Sequence, residues 1–265
     1  MILILFTILL WIIIIDNLLL GIFLLIKAYQ AKFNNLYSIG FAFVLFFVAL
    51  FTNFILGFGY FFQEIFTATG YYLIAIFTYL TFNKEKQDYR AKLILYLALI
   101  LIVIRLSLSL TIEIDINPFT RYFERIIINC YMFLIFFWLG WSSFSTLKRL
   151  YNREIAPWIK TRYKTISIVS FLWPFHVIMA FFVPWDTEFG DPADLLSFIQ
   201  FTITVILSLT FIIGMIIAWI IPERLKDYIN RKYGYKPLED SGLSEEKLMK
   251  LIRDQLERAD NHGND

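Results

Sequence analysis

The sequence is poor in charged residues, and this scarcity limits the kind of protein it encodes. Charged side chains make up 17% of the 265 residues, whereas 59% are hydrophobic and 19% are aromatic. A water-soluble domain of this length needs more polar surface than that composition provides. The formal net charge of only +2 offers no general attraction for nucleic acid. We therefore expect an integral membrane protein that contacts lipid and binds no nucleic acid.

Cysteine and histidine are also rare. Cys130 is the single cysteine, which excludes an intrachain disulfide, and the two histidines are His176, in an apolar block, and His262, near the C-terminus. A membrane metalloenzyme needs several clustered histidine, aspartate or cysteine ligands. The serines of "GWSSFS" at 140–145 do not form a serine-hydrolase motif. The sequence therefore predicts no metal, no cofactor and no catalytic residue.

Seven long apolar blocks are present instead. A helix needs about 20 mostly apolar residues to cross the hydrocarbon core of a bilayer. Backbone groups cannot pair with water there, so these segments are expected to be helices. The predicted spans cover residues 2–26, 37–59, 66–82, 93–112, 122–146, 165–184 and 196–221. The predicted fold class is therefore all-α, a polytopic membrane protein with seven transmembrane helices.

Charges between the blocks predict the side of the membrane on which each connector lies. Basic residues favour the cytoplasmic side. They occur in the first, third and fifth connectors and in the tail, for example at Lys27, Lys32, Lys84, Lys86, Arg90, Lys148, Arg149, Arg153, Lys160, Arg162, Arg224 and Lys226. The second connector has Glu64 without lysine or arginine, and the sixth, at 183–196, has four acids and no base. We predict a multi-pass protein of the cell membrane with its N-terminus outside and its C-terminus cytoplasmic.

The chain divides where the last apolar block ends. Residues 1–221 form the predicted transmembrane domain, and the first block lacks the basic region and cleavage site of a signal peptide. Residues 222–265 form a predicted cytoplasmic amphipathic tail, with one short helix after Pro222 and a second at 244–260. The apolar stripe of the second helix suits a cytoplasmic protein partner. A helix that stays solvated is the alternative.

A layer of polar side chains is predicted in the outer half of the bundle. Counting about 1.5 Å per residue from the outer helix ends places one such side chain from each of five helices roughly 10–13 Å deep. We expect this layer, with two neighbours, to bind a ligand, although its polar members can instead hold helices together by hydrogen bonds. The expected ligand-binding residues are Asn53, Arg105, Asn129, Trp173, His176, Gln200 and Thr204.

Arg105 requires a partner at that depth, because an unpaired guanidinium is costly in hydrocarbon. Asp16 and Glu124 are the predicted charge partners, since both fall within apolar blocks. The alternatives are an anionic ligand, or a side chain that extends outward to reach water at the membrane surface.

The stretch "FLWPFHVIMAFFVPWD" at 171–186 places a proline inside the sixth block. Pro174 has no N–H, so it frees a carbonyl near Ser170 and can kink the helix. A kink beside Trp173 and above the basic fifth connector predicts a hinge. The alternative is a proline that the membrane helix merely tolerates.

These features resemble the plan of the seven-helix receptors, with an external N-terminus, the Trp-Pro step of "LWPF" at 172–175 and a short amphipathic segment after the last helix. The resemblance implies signalling through movement of the sixth helix. The third helix ends "LTFNKEK" and the seventh ends "AWIIPERL", without the motifs of the largest receptor class. Residues 196–221 contain no lysine, which excludes the retinal Schiff base of microbial rhodopsins.

The leading functional prediction is a receptor-like or sensory protein that binds a small polar or anionic ligand from outside and signals to cytoplasmic partners. Inward of Pro174, the sixth block offers only Thr165, Ser167 and Ser170 to line an inward route. The alternative is a transporter of a small solute, ion or proton that uses the same polar layer. A third interpretation is a non-catalytic assembly subunit whose polar residues fix helix packing.

Overall fold

The chain is helical through most of the part that the structure describes. The computed structural model describes residues 2–83, 89–114, 117–151, 155–184, 187, 194–219 and 223–233. The helices are α1 (Ile2–Ala31), α2 (Asn35–Phe54), α3 (Tyr60–Thr78, continued by a π-helical turn at Tyr79–Asn83), α4 (Tyr89–Ile114), α5 (Pro118–Leu150), α6 (Pro157–Leu172), α7 (Phe175–Ile178, continued by a 3₁₀ turn at Met179–Phe181), α8 (Leu195–Trp219) and α9 (Glu223–Lys232).

Seven helical segments within these ranges are long and apolar enough to cross a membrane. They are α1 to α5, the combined segment of α6 and α7, and α8. The prediction of an all-α protein with seven apolar helices is confirmed at this level. The side of the membrane on which each terminus lies stays a prediction from the sequence.

The third helix begins earlier than predicted, and this changes the position of Glu64. The apolar block starts near residue 66, but α3 begins at Tyr60. Glu64 is therefore in the second turn of a spanning helix, 3% exposed, and the prediction that it lies in the second connector is wrong. The helix accommodates a carboxylate because Arg105 of α4 pairs with it inside the bundle, which a hydropathy pattern cannot detect.

The fifth helix also begins earlier than its apolar block. The Asn117 side chain accepts a hydrogen bond from the Phe119 N–H at 2.9 Å, and Pro118 occupies the first turn, where no N–H is needed. This start carries Glu124 and Arg125 two turns into the helix. Both polar side chains can therefore reach neighbouring helices within the bundle.

The helices pack in chain order into a closed bundle. α2 packs between α1 and α3, α5 packs between α4 and α6, and α8 closes the bundle against α6 and α1. The peripheral α4 has two contrasting faces, since Val103 is 60% exposed while Arg105 is 2% exposed. Apolar side chains exposed along one face suit a lipid environment, in which they carry no penalty.

The sixth span is broken at Pro174. α6 ends at Leu172 and α7 restarts at Phe175. Because Pro174 has no N–H, the regular ladder stops, and the next bond runs from the Val177 N–H to the Pro174 carbonyl at 3.3 Å, the short reach of a tight turn. The Trp173 carbonyl is thereby left without its usual backbone donor.

Arg125 of α5 holds the end of this broken span. Its guanidinium donates to the carbonyls of Ala180 at 3.0 Å, Val183 at 2.6 Å and Pro184 at 2.9 Å. The last carbonyls of a helical segment have no partner within it and favour a cation nearby. α5 thereby fixes the position of the segment that follows the break.

Arg162 of α6 connects helices at the opposite end of the bundle. It is 1% exposed, and its Nε donates to the Ala218 carbonyl of α8 at 2.8 Å. The guanidinium also lies 4.9 Å from the Trp158 ring centroid and 4.7 Å from that of Trp219. A planar guanidinium can contact rings by its faces while its edge donates hydrogen bonds.

The predicted amphipathic segment after the last span is the helix α9, which packs on α6. The Lys226 Nζ atom lies 4.8 Å from the Trp158 ring centroid, and Ile229 packs against the small core cluster that includes Ile159. The predicted second tail helix at 244–260 lies outside the described residues.

Candidate ligand cavity and buried ion pair

A cavity of about 200 Å³ lies between α1, α2, α3, α5, α8 and the break in the sixth span. Its eighteen wall residues include eight aromatic ones and no Asp, Glu, Lys or Arg. The volume is somewhat larger than the ~150 Å³ of an engineered apolar cavity that accepts benzene. The space therefore suits a molecule built around a single ring.

The cavity lies in the half of the bundle that the loop charges predict to be outside. α3, which starts at that end, contributes Gln63 and Thr67 from its first two turns. α2, which finishes at that end, contributes Leu50 and Phe54 from its last turns, and α8 contributes Phe201 near its start. The deeper wall is made by other residues.

Five aromatic rings form a closed circuit across the deeper wall. Phe43 contacts Phe46, which contacts Tyr71, which contacts Phe136, which contacts Phe211, which returns to Phe43. The ring centroids of successive pairs are 4.8 to 6.1 Å apart, the usual spacing of tilted and edge-to-face pairs. We call these five residues the aromatic floor. They come from α2, α3, α5 and α8, so the floor joins four helices.

Trp173 adds a sixth ring where the sixth span breaks. Its centroid lies 5.9 Å from that of Phe136 and 5.7 Å from that of Phe211. Its indole N–H meets no acceptor of good geometry among the described residues, and the Tyr71 hydroxyl is close to it. The break thus places a large aromatic side chain against both the floor and the cavity.

His176 bonds to the Trp173 carbonyl, which lacks a backbone donor because the Val177 N–H turns to the Pro174 carbonyl instead. Its Nδ1 lies 2.6 Å from the Trp173 carbonyl oxygen, and because a carbonyl can only accept, Nδ1 must carry the proton. In the neutral ring, Nε2 then carries a lone pair. His176 is 7% exposed and lines the cavity. The Trp173 carbonyl at the break thus holds the imidazole in place, and Nε2 remains as an acceptor.

The other polar wall residues are mostly engaged with their own helices. Thr67 donates to the Gln63 carbonyl and Thr204 to the Gln200 carbonyl, each at 2.8 Å. Asn17 donates through Nδ2 to the Ile13 carbonyl, also at 2.8 Å. These bonds satisfy carbonyls inside each helix and leave oxygen lone pairs for the cavity.

Arg105 lies behind the cavity wall, paired with Glu64. Its Nε is 2.5 Å from the Glu64 carboxylate oxygen, and the two side chains are 2% and 5% exposed. The guanidinium carbon also lies 5.7 Å from the ring centroids of Tyr71 and Tyr131. Among the described residues none accepts a hydrogen bond from its Nη1. The Tyr71 ring therefore belongs both to the cavity wall and to the surroundings of the ion pair.

A second carboxylate, that of Glu124, lies in the same cluster. It accepts a hydrogen bond from the Ser109 hydroxyl at 2.7 Å and another from the Tyr60 hydroxyl. Both Glu124 and Ser109 are buried. The cluster therefore joins the beginning of α3, the end of α4 and the beginning of α5.

The structure distributes the seven predicted ligand residues over different places. Trp173, His176 and Thr204 line the cavity. The others, which do not line it, are Asn53, Arg105, Asn129 and Gln200. Asn53 donates to the Gln63 side chain at 2.5 Å, and Asn129 donates to the Arg125 carbonyl at 2.7 Å.

The predicted charge partners of Arg105 differ from the observed one. Among the described residues its ion pair is with Glu64, so Asp16 is not its partner, and Glu124 is a neighbour in the cluster without a direct ion pair. Asp16 is half-buried on α1. Sequence reasoning passed over Glu64 because the helix start at Tyr60 was not visible in the hydropathy pattern.

The floor residues were not foreseen individually. Phenylalanine occurs at 29 positions, so nothing in the sequence separates the few that meet in the floor from those facing lipid. Gln63 and Thr67 were missed for the same reason as Glu64, since they precede or begin the third apolar block. A 19% aromatic content was the only general signal.

Fold and site together define a class, an all-helical protein with seven apolar helices suited to a multi-pass membrane protein. No protein-family model, no curated protein and no solved structure matches the chain. In the described ranges, no three histidine, cysteine or carboxylate side chains are grouped to hold a metal ion.

Proposed function

We propose that the protein is a receptor-like sensor of the cell membrane that binds a small molecule from outside. The observation that carries the proposal is a cavity in one half of the bundle, the half that the loop charges predict to be outside. Polar groups such as His176 and Thr204 lie in its upper part, while the aromatic floor closes its deeper wall. A sensor needs a ligand site and an element that the ligand can bias, but it needs no passage through the membrane.

Close packing beneath the floor favours a sensor over a transporter. A Cβ atom added to Gly140 of α5 would lie 3.0 Å from the Phe171 ring of α6, and one added to Gly214 of α8 would overlap Val169. Glycines at such contacts let helix backbones approach closely. A transporter must open its site to each side in turn, which would require these contacts to separate.

The ligand of this proposal is small and carries no full negative charge. An anion was expected from the sequence because Arg105 was thought to face the pocket. That guanidinium is paired with Glu64 and is not a wall residue, so it offers no free positive charge to an anion. Placing an anion in a cavity without a compensating cation is costly.

The proposed signal passes through the broken sixth span. A ligand in the cavity contacts Trp173 and His176, the residues on either side of Pro174. The other end of α6 holds Arg162, which joins α6 to α8, and packs against α9. A small change at the break can thereby alter the predicted cytoplasmic face, where the tail helix at 244–260 is proposed to meet a protein partner.

Cysteine accessibility tests the one-sided cavity. In a Cys130→Ser background, Thr204→Cys reports on the cavity and Ser167→Cys on the buried region of α6 beneath it. Intact cells are treated with a small membrane-impermeant thiol reagent. We expect labelling of Thr204→Cys and protection of Ser167→Cys, because the floor separates the two positions.

The matched control is Thr210→Cys, since Thr210 lies on the exposed face of the same helix, α8, away from the cavity. It is expected to stay unlabelled, because a thiol facing lipid does not form the reactive thiolate. External labelling of Ser167→Cys would favour a transporter, and protection of Thr204→Cys would remove the ligand site.

A further inference from the structure

We propose that the cavity selects a ligand with a hydrogen-bond donor, a hydroxyl or an amine on a compact apolar body, and that His176 receives this donor through Nε2. The inference rests on the proposed function, because it specifies the ligand class of the same cavity. It follows from which donors and acceptors of the cavity wall are already bonded to other groups of the protein.

The inference depends on which nitrogen of the His176 ring carries the proton. The Trp173 carbonyl fixes the proton on Nδ1, since the 2.6 Å contact needs a donor on the histidine side. The ring is buried and its remaining nitrogen belongs to a side chain that lines the cavity. No described residue donates a hydrogen bond to it in the structure. An acceptor on a cavity wall that no protein group donates to is available to a donor on a ligand.

Three further wall residues also present an acceptor to the cavity. Asn17, Thr67 and Thr204 each donate a hydrogen bond to a carbonyl of their own helix, at 2.8 Å in every case. The two threonines then offer an oxygen lone pair to the cavity, whereas Asn17 offers its amide oxygen and a second N–H. The polar part of the wall therefore contains four acceptors, His176 included, and among these four residues Asn17 alone keeps a further N–H.

Donors come from fewer residues of the same wall, and the second N–H of Asn17 is one of them. The Gln63 carbonyl oxygen of the side chain is taken by Asn53, so its amide N–H groups remain, and the Trp173 indole N–H lies beside the Tyr71 hydroxyl. The hydroxyls of Tyr71 and Ser208 can serve in either role. A ligand with only acceptors would leave Nε2 of His176 and the neighbouring lone pairs unpaired, which costs binding free energy.

The apolar part of the wall determines the size and shape of the apolar body that the ligand can have. Eight aromatic side chains in a space of about 200 Å³ suit a single ring, and the same ring faces can also hold an ammonium group. A neutral hydroxyl and a protonated amine share the donor chemistry. They differ in charge, which separate ligands distinguish.

The test uses the full-length protein in detergent and four ligands built on one benzyl or benzoyl frame. Benzyl alcohol is a neutral donor, benzylammonium a cationic donor, benzyl methyl ether an acceptor only, and benzoate an anion. Ligand-induced shifts in thermal unfolding give the dissociation constants. We expect one of the two donors to bind about ten-fold more tightly than the ether, the size of one good hydrogen bond. The stronger donor identifies the ligand as neutral or cationic.

Two variants assign the effect to Nε2. His176→Asn keeps an amide N–H near the position of Nδ1 for the Trp173 carbonyl and deletes the Nε2 acceptor. It is expected to weaken the donor ligand about ten-fold and to leave the ether unchanged. His176→Gln can place an amide oxygen near the Nε2 position and is expected to restore part of the difference.

Equal binding of ether and donors, tightest binding of benzoate, or no effect of His176→Asn would each overturn donor selection while leaving a ligand site in place. Failure of all four ligands, with Thr204→Cys still labelled from outside, overturns the ligand class but not the cavity. Failure of all four with Thr204→Cys protected overturns the proposed function itself.

Discussion

The guanidinium of Arg105 on α4 and the carboxylate of Glu64 on α3 form an ion pair at 2.5 Å, and both side chains are almost fully buried. The two residues are 41 positions apart, with the third connector between their helices. This pair lets two charged groups lie inside spanning helices. It also frames the cavity, because the Tyr71 ring lies 5.7 Å from the guanidinium carbon.

Breaking the pair from one side is expected to be strongly destabilising. Arg105→Leu leaves Glu64 buried without its counter-charge, at a cost of about 3–5 kcal/mol. The double variant Arg105→Leu with Glu64→Gln should recover part of this loss. Thermal unfolding in detergent measures both. Recovery with Asp16→Asn in place of Glu64→Gln, or no loss in Arg105→Leu, would contradict the pairing seen in the structure.

Arg125 is expected to be needed for the position of the segment after the break. Arg125→Gln removes the charged donors to the Ala180, Val183 and Pro184 carbonyls, each bond of a kind worth about 1.5–3 kcal/mol. Arg125→Lys keeps the charge but cannot bridge three carbonyls, so an intermediate loss is expected. Hydrogen exchange of the backbone at 177–183 should accelerate in the order wild type, Lys, Gln. Equal exchange in all three proteins would exclude this role.

Arg162 is expected to stabilise the end of the bundle near α9 through its shape as well as its charge. Arg162→Lys retains a cation but loses the planar group between Trp158 and Trp219 and the Nε bond to Ala218, so we expect a loss of about 1–2 kcal/mol. Lys160→Met is the matched control, because Lys160 is on the same helix and its bond to the Tyr151 carbonyl is exposed. Chemical denaturation followed by tryptophan fluorescence measures both. A larger effect at Lys160 would refute the assignment.

Loop charges predict the orientation of the whole bundle. In a Cys130→Ser background, Thr187→Cys is expected to react with an impermeant thiol reagent in intact cells, because residues near it belong to the acidic sixth connector. Thr161→Cys, beside the basic fifth connector, should react only after the cells are opened. The reverse pattern would invert the bundle and place the cavity on the cytoplasmic side.

How much could be predicted from the sequence depends on how local each feature is. The number and order of the spanning helices depend on runs of about 20 apolar residues, and the seven blocks correspond to the seven helices. The break at Pro174 depends on one missing N–H, and a kink there was one of the two outcomes that the sequence left open. His176 and Thr204 line the cavity at the level that counting depth from the helix ends predicted, and Trp173 was selected as the neighbour of Pro174. The same count also selected Asn53, Arg105 and Asn129, which do not line the cavity.

Tertiary structure decided the partners and the wall of the site. Which carboxylate meets Arg105 depends on the rotation of α3 against α4, and depth alone cannot separate Glu64, Glu124 and Asp16. The aromatic floor likewise depends on which ring of each helix turns inward. A ring that faces lipid has no energetic penalty, so the sequence does not distinguish inward rings from outward ones. Apolar length and loop charge are properties of the chain, whereas side-chain partners are properties of helix rotation, which only the packed bundle determines.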